Sequence, residues 1–126
     1  MMEQRYIDIR KDILELARTT TQGRLGTDYS VVEIIDSVYD YMSHNPKNPD
    51  WDERDIFILS KGHASLSYYT VLAHKGYFPL DDIKTLKSHK SKFGGHPDRL
   101  KVPGVEASTG SLGHGIGLAV GMALGL

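Results

Sequence analysis

Cysteine is absent from the 126 residues, and that single absence removes disulfides, zinc ribbons and thiol catalysis together. A reducing cytosol is compatible with it. Charge of one sign is lacking too: 15 Lys and Arg stand against 16 Asp and Glu, a formal net charge of −1. No nucleic-acid face is implied, and the nearest approach to one, Lys84, Lys87, Lys90 and Lys92 around His89, reads as a solvated helix face. Long apolar runs are also missing. The first residues, Met1 to Tyr6, are polar and lead into no secretory core, and the apolar run 116–126 falls short of the roughly 20 residues that span a bilayer. The expectation is a soluble, cytoplasmic chain that binds neither membrane nor nucleic acid. Its length suits one small domain or part of one.

Several catalytic signatures are missing as well. There is no His-Glu-x-x-His or Cys/His ligand spacing for zinc, so no metal ligands are assigned. There is no Gly-x-Ser-x-Gly elbow and no Gly-Lys-Ser/Thr after a glycine-rich loop.

Helical periodicity dominates what is present. Residues 3–20 place Tyr6, Ile9, Ile13 and Leu16 on one stripe. Ser30-Val31-Val32-Glu33 reads as a capping box opening a helix over 31–42 that buries Val31, Ile34, Ile35 and Val38. A helix over 64–75 follows with Gly76 as its cap, then a helix from Asp81-Asp82 carrying Ile83 and Leu86, then loop from 90 to 109. The last helix starts near Leu112, with Gly113, Gly117, Gly121 and Gly125 spaced by four. Each such glycine costs about 1 kcal/mol relative to alanine, so the spacing predicts close packing along that face. The apolar run ends at Leu126 without a cap, which reads as a chain cut short.

The stretch 55–117 organises the rest. Residues 56–59 are too few for a helix and suit a short buried strand; Ser60-Lys61-Gly62-His63 then turns the chain into the next helix. In open α/β sheets ligands collect beyond the carboxyl ends of strands, which places His63 where chemistry is expected. Gly94-Gly95-His96-Pro97 and Ser108-Thr109-Gly110-Ser111-Leu112-Gly113-His114-Gly115 are two further loop segments, and the three read as one site. Glycine lets backbone amides approach a phosphate without Cβ interference, although such a segment reads equally well as a tight turn before a packed helix. Of six histidines, His44, His74 and His89 fall on helices or their ends and read as solvated or core-bonded. His63 and His96, each after glycine in a loop, are the candidates for proton relay or phosphate and hydroxyl contact.

The run 57–64, Gly76-Tyr77-Phe78-Pro79, Gly95-His96-Pro97, and Pro103-Gly104-Val105-Glu106 leading into Ser108 to Gly115 together resemble the N-terminal part of transketolase. That family uses thiamine diphosphate to move two-carbon ketol units between sugar phosphates. The resemblance covers nearly the whole chain and implies an α/β fold: a helix-rich, partial, doubly wound diphosphate-binding domain over 1–126, truncated at its C-terminal side. It implies that His63 hydrogen-bonds the diphosphate, that His96 contacts hydroxyls near C1 of the ketose donor, and that Gly110 and Leu112 hold the aminopyrimidine, with Ser111 and His114 beside them. Where many relatives have a Gly-His-Pro-Gly histidine this chain has Gly23-Arg24-Leu25-Gly26. Arg24 can hold an anion or hydroxyl of the substrate but is no acid–base near neutrality.

The family's Gly-Asp-Gly…Asn ligands for Mg²⁺, and its cofactor-activating glutamate, would lie beyond Leu126. The implied partners are therefore sugar phosphates together with a second copy or a C-terminal transketolase subunit, and the chain alone is not expected to catalyse. Rival readings are another thiamine-diphosphate enzyme, such as the 1-deoxyxylulose-5-phosphate synthase group or a 2-oxo acid dehydrogenase α chain, a non-catalytic binding remnant, or a plain structural fragment. Gly95-His96-Pro97 favours transketolase over the dehydrogenase.

Overall fold

Ile9, Ile13 and Leu16 recur at helical spacing, and in the computed structural model, which describes residues 3–21 and 24–126, they form the buried stripe of α1 (Gln4–Thr20). Four more α-helices follow: α2 (Leu25–Tyr29), α3 (Val32–Tyr41), α4 (Ser65–His74) and α5 (His114–Gly125). Two 3₁₀ segments, Gly62–Ala64 and Leu80–Thr85, complete the regular structure of the described residues. The helix expected from Asp81 is thus the second of these tighter turns, and it buries Ile83 and Leu86 as the spacing predicts.

α4 is the hub, because α1, α2, α3 and both 3₁₀ segments pack on it. Every residue from Ser65 to Leu72 is buried, so this helix has no polar face. Its hydroxyls survive burial because each has a partner: Thr70 donates to the Leu66 carbonyl at 2.8 Å and Ser67 to the Asp28 carbonyl at 2.7 Å. Gly76, with φ +93°, ends the helix as expected. Its amide bonds the Ala73 carbonyl, and the Tyr77 amide bonds that of Leu72, the Schellman pattern that satisfies two orphan carbonyls.

Three sequence readings need correction. Residues 56–59 form no β-ladder; among the described residues no strand occurs, since a strand is defined by a partner's hydrogen bonds and this segment meets none. The capping box does not form. Ser30 Oγ donates to the Thr27 carbonyl instead, and Glu33 takes a bidentate pair from Arg10. α3 is also turned by about one residue, or about 100°. It buries Val32, Ile35, Asp36 and Tyr39, while Ile34 and Val38 face outward. Asp36 meets Lys75 at 2.8 Å and Arg5 at 3.1 Å, and the Tyr39 and Tyr68 hydroxyls share a hydrogen bond, so the polar atoms on this face have partners.

α5 lies along 56–60, and Ile56, Ile58, Ile116, Ala119, Met122 and Ala123 line a groove of about 350 Å³ between them. The expected close packing at every fourth glycine is not what the helix shows. A methyl group at Gly113, Gly117, Gly121 or Gly125 would meet nothing within 4 Å. Gly115, off that stripe, is the crowded position, and its absent Cβ would sit 2.4 Å from Ser60 Cβ. Alanine at Gly121 is therefore expected to stabilise the chain by about 0.5–1 kcal/mol, through helix propensity alone. Urea unfolding measures this, and a loss of stability would show that the stripe is covered.

Candidate functional site

The three loop segments meet, and glycine is what lets them. Gly62 lies against the third segment so closely that a Cβ on it would be 2.8 Å from Gly110 N and from the Thr109 carbonyl carbon. Thr109 Oγ1 donates to the Leu59 carbonyl at 2.7 Å and ties the same two stretches together. The His96 ring lies over Gly110, where a methyl group would come 3.3 Å from its Cγ. His63, His96 and Gly110 thus belong to one neighbourhood, although they are 47 positions apart in sequence from first to last.

The second loop is held from beneath by α4. The Tyr69 hydroxyl lies 3.0 Å from both the Gly94 and His96 carbonyls, and burial pushes its ionisation up, so it remains a donor. Ser65 adds a weaker bond to the Gly94 carbonyl. The 3₁₀ turn carrying His63 is fixed by Lys61, whose Nζ reaches Ser30 Oγ at 2.9 Å.

Two hollows flank this junction. The first, about 30 Å³, is lined by Arg24, Asp28, His63, Ser65, Lys87 and Gly95 among others. His63 is half-buried there, and Arg24, itself exposed, reaches the same hollow. Gly23, the other residue of the Gly23-Arg24 departure, lies outside the described residues. The second hollow is an open groove lined by Ser108 to Ser111, His114, Gly117 and Leu118. Gly110, Ser111 and His114 come together in it. Leu112 does not line it and is 69% exposed. His96 is exposed, with its ring beside the groove at Gly110 and its backbone next to Gly95 of the first hollow.

Sequence reasoning does not single out Asp28, Lys87 or Tyr69 as site residues. Asp28 is a lone acid in a short helix, and Lys87 sits in a lysine-rich run that resembles any solvated face. Tyr69 falls on the buried side of its helix by spacing, but its hydroxyl partners lie 25 and 27 residues away.

Close backbone approach, serine hydroxyls and imidazoles suit contacts to a diphosphate and to sugar hydroxyls. Among the described residues no group of three or more His, Cys, Asp or Glu side chains could hold a metal ion. None of their helices is long and apolar enough to cross a membrane.

Residues 3–125 match the family model described as transketolase, thiamine diphosphate binding domain. One of the subunits of the apulose-4-phosphate transketolase of Actinobacillus succinogenes is 44% identical over 98% of this chain and 45% of its own length. Transketolase 2 of Escherichia coli is 39% identical over 92% of this chain and 18% of its own. Among solved structures, Campylobacter jejuni transketolase superposes with a TM-score of 0.85 at 33% identity, covering 98% of this chain and 20% of that one. Pichia stipitis transketolase with sedoheptulose 7-phosphate gives 0.82 at 36%, covering 92% and 17%. This chain spans less than half the length of these relatives. It belongs to the transketolase family, and residues 3–125 correspond to that family's thiamine-diphosphate-binding domain.

Proposed function

We propose that this chain supplies the thiamine-diphosphate-binding part of a transketolase that moves a two-carbon ketol unit from a ketose phosphate to an aldose phosphate, and that further polypeptide completes the site. The observation that carries this reading is the junction of Gly62, His96 and Gly110, with an imidazole on either side of a backbone-lined cleft. When bound, the cofactor supplies the nucleophilic carbon and the electron sink that two-carbon transfer requires.

This chain's own residues bind and orient. His63 donates to the diphosphate, while Gly110, Ser111, Leu112 and His114 hold the rest of the cofactor. His96, exposed beside the groove, contacts hydroxyls near C1 of the donor, and Arg24 holds a further oxygen from the opposite hollow. Fixing the donor in this way converts an encounter into an intramolecular attack. Residues 1–126 then form the first portion of a doubly wound α/β domain, in which 56–59 becomes a strand once partner strands are present. Mg²⁺ is held by ligands outside this chain, and the complement is a C-terminal subunit or a second copy, in the cytoplasm. That the 44% identical relative is itself one of several subunits by name supports a divided enzyme.

Calorimetric titration with thiamine diphosphate and Mg²⁺ tests the proposal. The chain alone is expected to bind weakly or not at all. With its complement it is expected to bind tightly, depend on the metal and transfer ketol units. Tight metal-dependent binding by the chain alone would show that the missing ligands are not needed.

A further inference from the structure

Asp28 is buried, 1% exposed, and lines the hollow that His63 and Arg24 share. Two amides reach its carboxylate, Arg24 N–H to Oδ2 and Ser67 N–H to Oδ1, each at 3.2 Å. The Ser67 hydroxyl has one proton to give, and it lies 2.7 Å from the Asp28 main-chain oxygen but 3.4 Å from Oδ1. An ionised carboxylate offers about four acceptor sites, so two long amide bonds leave it poorly solvated. Burial accordingly outweighs Ser67, Arg24 and the charge of Lys61, and it pushes the carboxyl above its ordinary 3.8. A water fits in about 30 Å³ when several polar groups line it, as they do here.

The charged groups facing this carboxyl come from every surrounding element. They are Arg24 before α2, Lys61 and His63 at the 3₁₀ turn, and Lys87 from the loop after Leu80–Thr85, while α4 presents only the hydroxyls of Ser65 and Ser67. Guanidinium and ammonium groups keep their protons near neutrality. Asp28 and His63 are the lining groups able to take one up and release it.

We propose that Asp28 is a proton-holding residue of this site, exchanging a proton with a hydroxyl of the bound sugar through a water in the hollow. The inference rests on the ketol-transfer reading above. The donor O–H bond breaks and its proton goes to the water, which passes one of its own to an Asp28 carboxylate oxygen. The pair left on the sugar oxygen becomes the second bond of the aldehyde carbonyl as the carbon–carbon bond breaks, and the electrons of that bond stay with the two-carbon unit. When the acceptor aldehyde forms its new bond, its oxygen takes the proton back by the same route. Asp28 acts through the water, so it is a positioning residue for the proton.

The test uses the full chain in its native assembly. Carbon-13 NMR of the Asp28 carboxyl needs no variant and is expected to show a midpoint above 3.8; a midpoint at or below that value overturns the proposal. Asp28→Asn, close to isosteric, is expected to lower kcat by about 10²–10⁴-fold with KM little changed. It should also remove from the pH–rate profile the limb that matches the NMR midpoint. Activity within about twofold of the parent, or an unchanged limb, overturns the proposal; thermal melting shows that the variant is folded when this is read. Wild-type assembly that binds cofactor but transfers no ketol unit would instead overturn the ketol-transfer reading, and this inference with it. An active wild type unaffected by Asp28→Asn would sink this inference alone.

Discussion

Gly62→Ala is expected to destabilise the chain by about 3 kcal/mol, the upper end for an overpacked core, because both sides of the contact are backbone. The added Cβ would lie 2.8 Å from Gly110 N and from the Thr109 carbonyl carbon, and 2.9 Å from the Thr109 oxygen. A flexible side chain could swing away from such an intrusion. Here the 3₁₀ turn and the 109–110 segment must separate, and the separation also strains the buried Thr109–Leu59 bond. Stability falls and the site opens together. In the assembled enzyme the same variant is expected to weaken thiamine diphosphate binding, since the segments carrying His63 and Gly110 no longer share one cleft. Urea unfolding measures the first effect and calorimetry the second. A stability change under about 0.5 kcal/mol would mean that the two segments do not touch.

Gly115→Ala should be comparably severe, at about 3 kcal/mol. Its Cβ would meet Ser60 Cβ at 2.4 Å, Oγ at 2.6 Å and Cα at 2.8 Å, so α5 would have to lift off the segment that leads into the His63 turn. Ser60→Gly in the same chain removes the first two clashes and leaves the third. The double variant is therefore expected to recover part of the loss, and the cycle isolates the contact as a coupling energy. Gly117→Ala, two residues along and with nothing within 4 Å, is the matched control and should be neutral or slightly stabilising. If Gly115→Ala behaved like Gly117→Ala, the placement of α5 would be wrong.

The contrast between Gly115 and Gly117 shows what a linear pattern conveys. Helical spacing marks which residues share a stripe, and for α1 that was enough: Ile9, Ile13 and Leu16 are buried as their recurrence requires. The Gly76 cap was equally legible, because a left-handed residue ending an apolar helix is a local requirement. The same was true of the ordered motifs around His63, His96 and Gly110, which sufficed to name the family and to place three loops at one site. α3 was not legible in this way. Val31, Ile34, Ile35 and Val38 make one plausible stripe and Val32, Ile35, Asp36 and Tyr39 another, with Ile35 common to both.

The choice between those stripes was made by residues far away in the chain, Lys75 and Tyr68, which satisfy Asp36 and Tyr39 once α4 is in place. Burial of Asp28 between Arg24 and Ser67, and the seating of Gly115 on Ser60, were settled in the same manner. Local chemistry along the chain determines where helices start, stop and turn, because those choices depend on neighbours within a few positions. Which face turns inward, and which glycine must be a glycine, is decided only when segments tens of residues apart are brought within van der Waals distance.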